Sequence, residues 1–431
     1  MRLAMGLRRG ALTFTRLLVT GKPPRDLRKK YFDAVKLRAF QPLTPDDEAS
    51  EAVGWCVMER PFDLDFEPDK IFYDRFVLLG FRVDKWRIPG ALLRAQVHDE
   101  EQRMLSRAGR EKLTRGEREE IKLRVLGRLR RKIPPVSRAF DAFWDLDSGL
   151  CLLFTHSKRV VSEFTALFEK TFGFEPVADS PYGAAKRTEL PKALLARLQT
   201  IEPTSFTQGR KKLAAAEKPI EAPKPEPAKA PDGETDELYE RIESTRFLGA
   251  EFLLWIWLRA ELLSPELSLG TLGDAEAWLE RSLSFEHILD KNEKVMVRGV
   301  LPTGSAEARE AVRNMKMPVS SRITMRLGDQ DMAWNLNGPK FLIGGAALPE
   351  VLKEGEDDAF LERVALIEQL LGTSDALYTA FLRDRLAPLW QEAWQPAIVS
   401  WAEGEAVPAA ALKALAASNK SSKSSRAKRS A

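Results

Sequence analysis

The sequence predicts an α+β protein built on antiparallel sheets, with a protruding basic helical hairpin inserted among the strands. Three observations carry this. Short strand-like runs separated by Pro, Gly and Asp clusters fill the first 87 residues, a stretch of helical patterning begins at Ile88, and strand–turn–strand patterns return on both sides of a Pro- and Ala-rich segment. At 431 residues the chain is long enough for two or three compact units. The hydrophobic share of 44% and charged share of 30% are ordinary for a soluble protein, and the net charge of +4 is modest, so the placement of charge matters more than its total.

Taken in order, region 1–87 is β-rich, with GALTFTRLLV, VGWCVM and FYDRFVLLGFRVDKW as strands. Its arginine-rich start lacks acids until Asp26, as a mitochondrial transit peptide would, but Leu12, Phe14 and Arg16 alternate with Thr13 and Thr15 and read better as a first strand. Region 88–135 is the hairpin. Pro89 opens a helix from Gly90 to about Arg107, and Gly109 interrupts it. Thr114-Arg115-Gly116-Glu117 has capping-box spacing and starts a second helix to about Lys132, stopped by Pro134 and Pro135, which offer no amide hydrogen. Region 136–201 completes the first half with AFWDLDSGLCLLFTH as a strand pair around Asp147-Ser148-Gly149, then an amphipathic helix with Val161, Phe164, Leu167 and Phe168 on one face.

Region 202–237 is rich in Pro, Ala, Lys and Glu and buries too little apolar surface to fold, so it reads as a disordered linker. Region 238–345 is a second α+β domain. Its opening run, FLGAEFLLWIWLRAELL, carries Glu251 and Arg259 and is shorter than the roughly 20 apolar residues of a bilayer span, so it reads as a buried helix. EKVMVRGV and SSRITMRLGDQDMAWNL follow as strands around a short helix at Ala306–Asn314. Region 346–416 is helical, and 417–431 is a basic, serine-rich tail expected to be disordered.

The chain is poor in catalytic signatures. Cys56 and Cys151 are far apart, with no CxxC pair and no neighbouring histidine, which argues against zinc or a disulfide framework and fits a reducing compartment. There is no phosphate loop, GxGxxG, HExxH or GxSxG, and His98, His156 and His287 are scattered, so no catalytic residue, metal or cofactor is expected. The pairs Asp63/Asp65, Asp145/Asp147 and Asp329/Asp331 would suit a magnesium-dependent nuclease, but all sit at turns or strand ends, where Asp serves local backbone hydrogen bonds. Cys151 lies in GLCLLF and reads as a buried small hydrophobe.

The most informative feature is the hairpin and its exit. Arg103, Arg107, Arg110, Lys112, Arg115, Arg118, Lys122, Arg124, Arg128, Arg130, Arg131, Lys132 and Arg138 far outnumber Glu111, Glu117, Glu119 and Glu120. Arg103, Arg107, Arg110, Arg118 and Lys122 fall near one stripe, and Arg124, Arg128 and Arg131 near another. Such stripes can track phosphates, giving affinity without base readout. The same pattern fits a solvated face, in which Glu120 pairs with Arg124, or a surface for anionic membrane or an acidic partner. Phe140, Phe143 and Trp144 follow closely and fit base stacking, a partner interface or, with greater weight, the core.

Several elements in order resemble the RdgC family of recombination-associated proteins: GALTFTRLLVTG, Val53-Gly54-Trp55, Ile88-Pro89, Gly109-Arg110 with Leu113-Thr114, the helix containing Lys122, and its proline stop. Phe140, Trp144, Ser148-Gly149-Leu150, Phe172-Gly173-Phe174, Glu251-Phe252-Leu253-Leu254-Trp255 and Met315-Lys316-Met317 continue the series, which spans most of residues 6–345. The resemblance implies an RdgC-like α+β fold and a non-enzymatic homodimer that closes as a ring around double-stranded DNA. Such a protein binds without sequence preference, limits access of the RecA recombinase, and is cytoplasmic and nucleoid-associated with no membrane partner. It further implies that the helix following Thr114 lends positive charge to the DNA channel, that Arg298 is DNA-facing, and that Arg138 and Phe140 lie near the dimer contact. Together with the basic pattern of residues 107–132, this makes Arg107, Arg110, Arg115, Arg118, Lys122, Arg124, Arg128, Arg131 and Lys132 the expected phosphate contacts. The Pro-rich insertion and basic tail are additional to the family pattern.

Overall fold

The N-terminal alternation becomes strand β1, Leu12–Val19, in which Leu12, Phe14 and Leu17 are fully buried. In this computed structural model, which describes residues 7, 10–21, 24, 26–205, 240–288, 292–353 and 355–427, the chain forms two units. One is Thr15–Val177; the other runs from Ala178 and takes in Leu12–Phe14. The sequence pattern predicts a first half that extends to 201. Residues from 178 instead belong to the second unit, where Arg187 holds the carboxylate of Asp179 through two hydrogen bonds and the Tyr378 hydroxyl donates to the Pro181 carbonyl.

In the first unit β1 is followed by helix α1, Leu27–Leu37, strands β2, Glu51–Cys56, and β3, Phe76–Lys85, helices α2, Gly90–Ala108, and α3, Arg115–Arg130, strands β4, Val136–Asp145, and β5, Leu150–Leu153, and helix α4, Lys158–Phe172. The antiparallel order is β1-β5-β4-β3-β2, with Gly80 opposite Asp141 and Trp144 opposite Cys151. Helix α1 corrects the reading of residues 1–87 as sheet alone: Tyr31 and Val35, four apart, put one face of it into the core. On α4, Val160, Phe164, Phe168 and Phe172 recur every four residues and are buried with Trp55, Phe81 and Trp144, while Val161 and Leu167 pack at the margin. Trp55 donates from its indole to Thr171, so the polar end of this large ring is satisfied inside the core. Phe143 and Trp144 are therefore core residues and offer no surface for base stacking.

The second unit contains helix α5, Phe247–Leu262, strands β6, Asp274–His287, and β7, Lys294–Arg298, helix α6, Ala306–Arg313, strands β8, Lys316–Leu327, β9, Gln330–Asn337, and β10, Leu342–Ala347, and helices α7, Glu356–Leu386, α8, Gln395–Glu403, and α9, Ala409–Ala427. Its antiparallel order is β7-β6-β8-β9-β10, with Leu12 and Phe14 pairing onto β10. The Trp-rich run is the buried helix expected, with every residue from Leu248 to Arg259 buried. No described helix is long and apolar enough to cross a membrane.

Burying tryptophans calls for acceptors, and several of those in this unit find one, whereas the Trp334 indole has none among the described residues. Trp255 and Trp394 both donate to one oxygen of Asp384, each at 3.0 Å, and Trp390 donates to Thr204. Burial pushes the Asp384 carboxyl above the usual carboxylate range. Glu251 accepts from Arg385 and from the Thr204 amide, so residues 202–205 are fastened to this core rather than belonging to a disordered linker; 206–239 lie outside the described residues. Gly249 is obligatory here, because a Cβ would come within 2.0 Å of the Gly338 carbonyl oxygen. The tail expected to be disordered from 417 is helical as far as Ala427, and 428–431 lie outside the described residues.

Candidate nucleic-acid interface

The hairpin follows from local sequence. Gly109 closes α2 in the left-handed conformation with φ 61°, and Thr114 caps α3 by accepting from the Glu117 amide while Glu117 accepts from the Thr114 amide. Hydrogen bonding by the Thr114 amide, then Arg110, holds the Glu117 carboxyl below the usual range. The hairpin has a small core of its own, in which Ile121, Val125 and Leu129 of α3 and the preceding Leu113 are buried against Leu93, Val97, Met104 and Leu105 of α2. No residue of α2 is itself buried. At the base, Arg130 is buried, donates to the Asp47 carbonyl and faces the Trp86 ring, while Arg131 pairs with Asp46 at 2.7 Å.

The four-residue spacing of Ile121, Val125 and Leu129 fixes the inward stripe of α3 and so divides its cations. Arg115 and Lys122 lie on one side, and Arg118 prolongs the stripe past its apolar end, where it is exposed. Arg124, Arg128 and Arg131 lie on the other side. The two groups differ in their partners. Arg124 meets Glu120 at 2.7 Å, Arg128 meets Glu100 of α2 at 3.6 Å and reaches Gln96, and Arg131 meets Asp46. In contrast, Arg118 and Lys122 are exposed with no acidic partner among the described residues, and Arg115 only approaches Glu119 at 3.9 Å. Arg107 and Lys132 are likewise exposed without an acidic partner among the described residues, whereas Arg110 meets Glu117 at 2.6 Å and Arg103 meets Glu100 at 3.5 Å.

Contrary to the expected single stripe, Arg103, Arg107 and Arg110 are not continuous with Arg118 and Lys122, because α2 ends at Ala108: Arg103 and Arg107 sit on α2, Arg110 lies in the turn after Gly109, and Arg118 and Lys122 sit on α3. The other expected contacts fall in two places. Arg138 is exposed on β4 opposite Val83, and Phe140, opposite Phe81, is half-buried against the first unit's core. Arg298 is exposed at the end of β7 in the second unit. Sequence reasoning missed Asp46, Asp47 and Glu100 as partners and Arg130 as an anchor. The first two lie some way upstream of the hairpin, so no helical spacing could have linked them to it.

One carboxylate of each Asp pair has a local partner. The Asp65 amide donates to Asp63, the Asp147 amide and the Ser148 hydroxyl donate to Asp145, and Asp331 pairs with Arg326. Among the described residues no group of three or more His, Cys, Asp or Glu side chains is placed to hold a metal ion. Both cysteines are buried, and burial pushes the Cys56 thiol up to about 12 and Cys151 higher still, which suppresses thiolate chemistry. In comparison with known proteins, no family model matches the chain and no curated protein matches it.

Proposed function

We propose that this protein is a non-enzymatic, sequence-independent binder of double-stranded DNA, with the hairpin as its phosphate-contacting element. The observation that carries the reading is the set of exposed cations, Arg107, Arg118, Lys122 and Lys132, that have no acidic partner among the described residues. A cation already paired must give up its carboxylate to bind phosphate; an unpaired one gains the whole interaction and releases the counterions condensed on the duplex. Cations that track phosphates read no base edges, so affinity without sequence preference is the chemistry that fits.

The finer reading follows the resemblance to the RdgC family. Two copies close a ring around the duplex, with Arg138 and Phe140 at a self-complementary contact and Arg298 among the DNA-facing cations, and the nucleoid-bound ring limits RecA access in the cytoplasm. The test is fluorescence anisotropy of two duplexes of unrelated sequence across a range of salt concentrations. The expected result is equal affinity for both and a steep linear loss of log affinity with log salt. Absence of binding at low salt would overturn the proposal.

A further inference from the structure

The second unit's sheet ends on strand β7. Among the described residues it pairs with β6 and with no other strand, by pairs running from Lys294 opposite Glu286 to Arg298 opposite Ser282. The hydrogen bonds flanking these pairs fix which backbone groups are spent. The His287 amide donates to the Glu293 carbonyl and the Gly299 amide donates to the Arg281 carbonyl, each at 3.0 Å. Antiparallel ladders alternate, so Glu293, Val295, Val297 and Gly299 turn their amides and carbonyls inward, while Lys294, Met296 and Arg298 turn theirs out from the sheet.

The side chains beside that free edge are unusually apolar for solvent-facing positions. Met296 is 55% exposed, and just beyond the strand Val300 is 86% and Leu301 64% exposed. Lys294, Met296 and Arg298 share one face, with cations at either end. Lys294 is held by Glu286 at 2.9 Å, whereas the Arg298 guanidinium meets only the Met296 sulfur among the described residues, with no carboxylate. An unprotected edge with apolar side chains invites an added strand.

Charge decides what kind of strand. A second copy of β7 laid antiparallel about Met296 would set Lys294 against Arg298 at both ends, and like charges directly opposite destabilise a strand pair. A strand with carboxylates at those two places and an aliphatic residue between them reverses the sign of both contacts and covers Met296. We infer that the β7 edge is a docking site for an extended acidic–aliphatic peptide segment of a partner protein, added as a further antiparallel strand. Main-chain bonds to Lys294, Met296 and Arg298 would supply pairing; Arg298, which meets no carboxylate among the described residues, would select the acidic residue set opposite it, and Lys294, shared with Glu286, would add a smaller preference at the other flank. This goes beyond DNA binding, and it gives Arg298 a second ligand, so duplex and peptide would compete for that residue only.

The experiment uses the full chain and a fluorescein-labelled synthetic peptide with a glutamate at each end of a run of valines, followed by anisotropy without DNA. Met296→Pro is the informative variant, because it removes an outward amide and leaves the inward ladder bonds of Val295 and Val297 in place. Arg298→Glu tests the charge. Peptide binding should fall by about tenfold or more in either variant. A peptide N-methylated at alternate residues, which keeps the charge but loses the donors, should also fail to bind wild-type protein. Equal binding of the N-methylated peptide, or undiminished binding by Met296→Pro, would overturn the inference. So would a concentration-dependent self-association that Met296→Pro abolishes, which would seat a second copy at the edge. Peptide binding retained when Arg118 and Lys122 are both alanine separates this site from the hairpin, whatever becomes of the DNA reading.

Discussion

The two sides of helix α3 carry similar numbers of cations and put them to different use. On the Arg124, Arg128 and Arg131 side each guanidinium has a carboxylate within 4 Å, two of them from outside α3, so this side ties the hairpin together and to the loop that precedes β2. On the other side Arg115 and Lys122 stand in solvent, as does Arg118 just past the apolar end of the inward stripe, and among the described residues the one carboxylate near the three is Glu119, 3.9 Å from Arg115. Counting basic residues along the helix treats these groups alike. What separates them is the supply of acids around each, and that is a property of the fold.

The largest expected effect is on binding. Replacing Arg107, Arg118, Lys122 and Lys132 together by alanine should weaken duplex affinity on the order of a hundredfold at low salt and lower the salt slope by about one for each phosphate left unneutralised. Thermal unfolding should be unchanged, because none of the four has an ion-pair partner among the described residues. The same assay on the Arg124, Arg128 and Arg131 triple alanine variant should show a smaller loss, about tenfold or less. Equal losses in the two variants would erase the distinction between the sides.

The hairpin was legible because its signals are local. A capping box, a left-handed glycine and a proline stop each act within a few residues, and all three stand where the sequence places them. Strands β4 and β5 were legible for the same reason, through the turn at Asp147-Ser148-Gly149. Helix α1 was hidden because it lacks a side-chain cap and buries only Tyr31 and Val35, too sparse a pattern beside the stronger strand signals. Partners brought from afar were not legible at all. Asp46 reaches Arg131 across 85 residues, and Thr204 reaches Trp390 across 186, through packing that no window of sequence contains. The candidate site was therefore legible as a region, while its division into paired and unpaired sides was not.

If the exposed charges of the hairpin serve binding, the charges that govern stability should lie elsewhere, and Asp141 is the sharpest case. It is buried in β4, accepts from the Glu59 amide and lies near the Cys56 thiol; burial pushes its carboxyl from the ordinary 3.8 up to about 6. The folded chain therefore holds this proton more tightly than the unfolded chain. Its contribution to stability is present below pH 4 and is lost as pH rises through about 6. Asp141→Asn should remove that loss, raising stability at pH 7 by up to about 3 kcal/mol and flattening the pH dependence between 4 and 6. Denaturant unfolding at several pH values measures both, and DNA affinity should not move. A variant with an unaltered pH profile would show that the carboxylate ionises freely in the folded state.

Thr114→Ala probes the hairpin without touching a cation. Loss of the cap leaves the Glu117 amide without its acceptor and should cost about 1 kcal/mol, localised to α3 and visible as faster amide exchange there. Binding should weaken only to the extent that the helix frays.

The smallest expected effect discriminates most directly between the two sides. Glu100 on α2 is the shared acid of Arg103, at 3.5 Å, and Arg128, at 3.6 Å. Exposed pairs of this kind contribute at most about 1 kcal/mol to stability, so Glu100→Gln should leave the hairpin folded. It should also convert Arg128 from a paired cation to an unpaired one, and Gln96, which already accepts from Arg128, keeps the side chain oriented. Duplex affinity should rise a few-fold and the salt slope should steepen by about one. If pairing is what silences this side of the helix, removing the acid activates it. Unchanged affinity and slope would instead mean that Arg128 points away from the duplex, and that orientation rather than neutralisation distinguishes the two sides of α3.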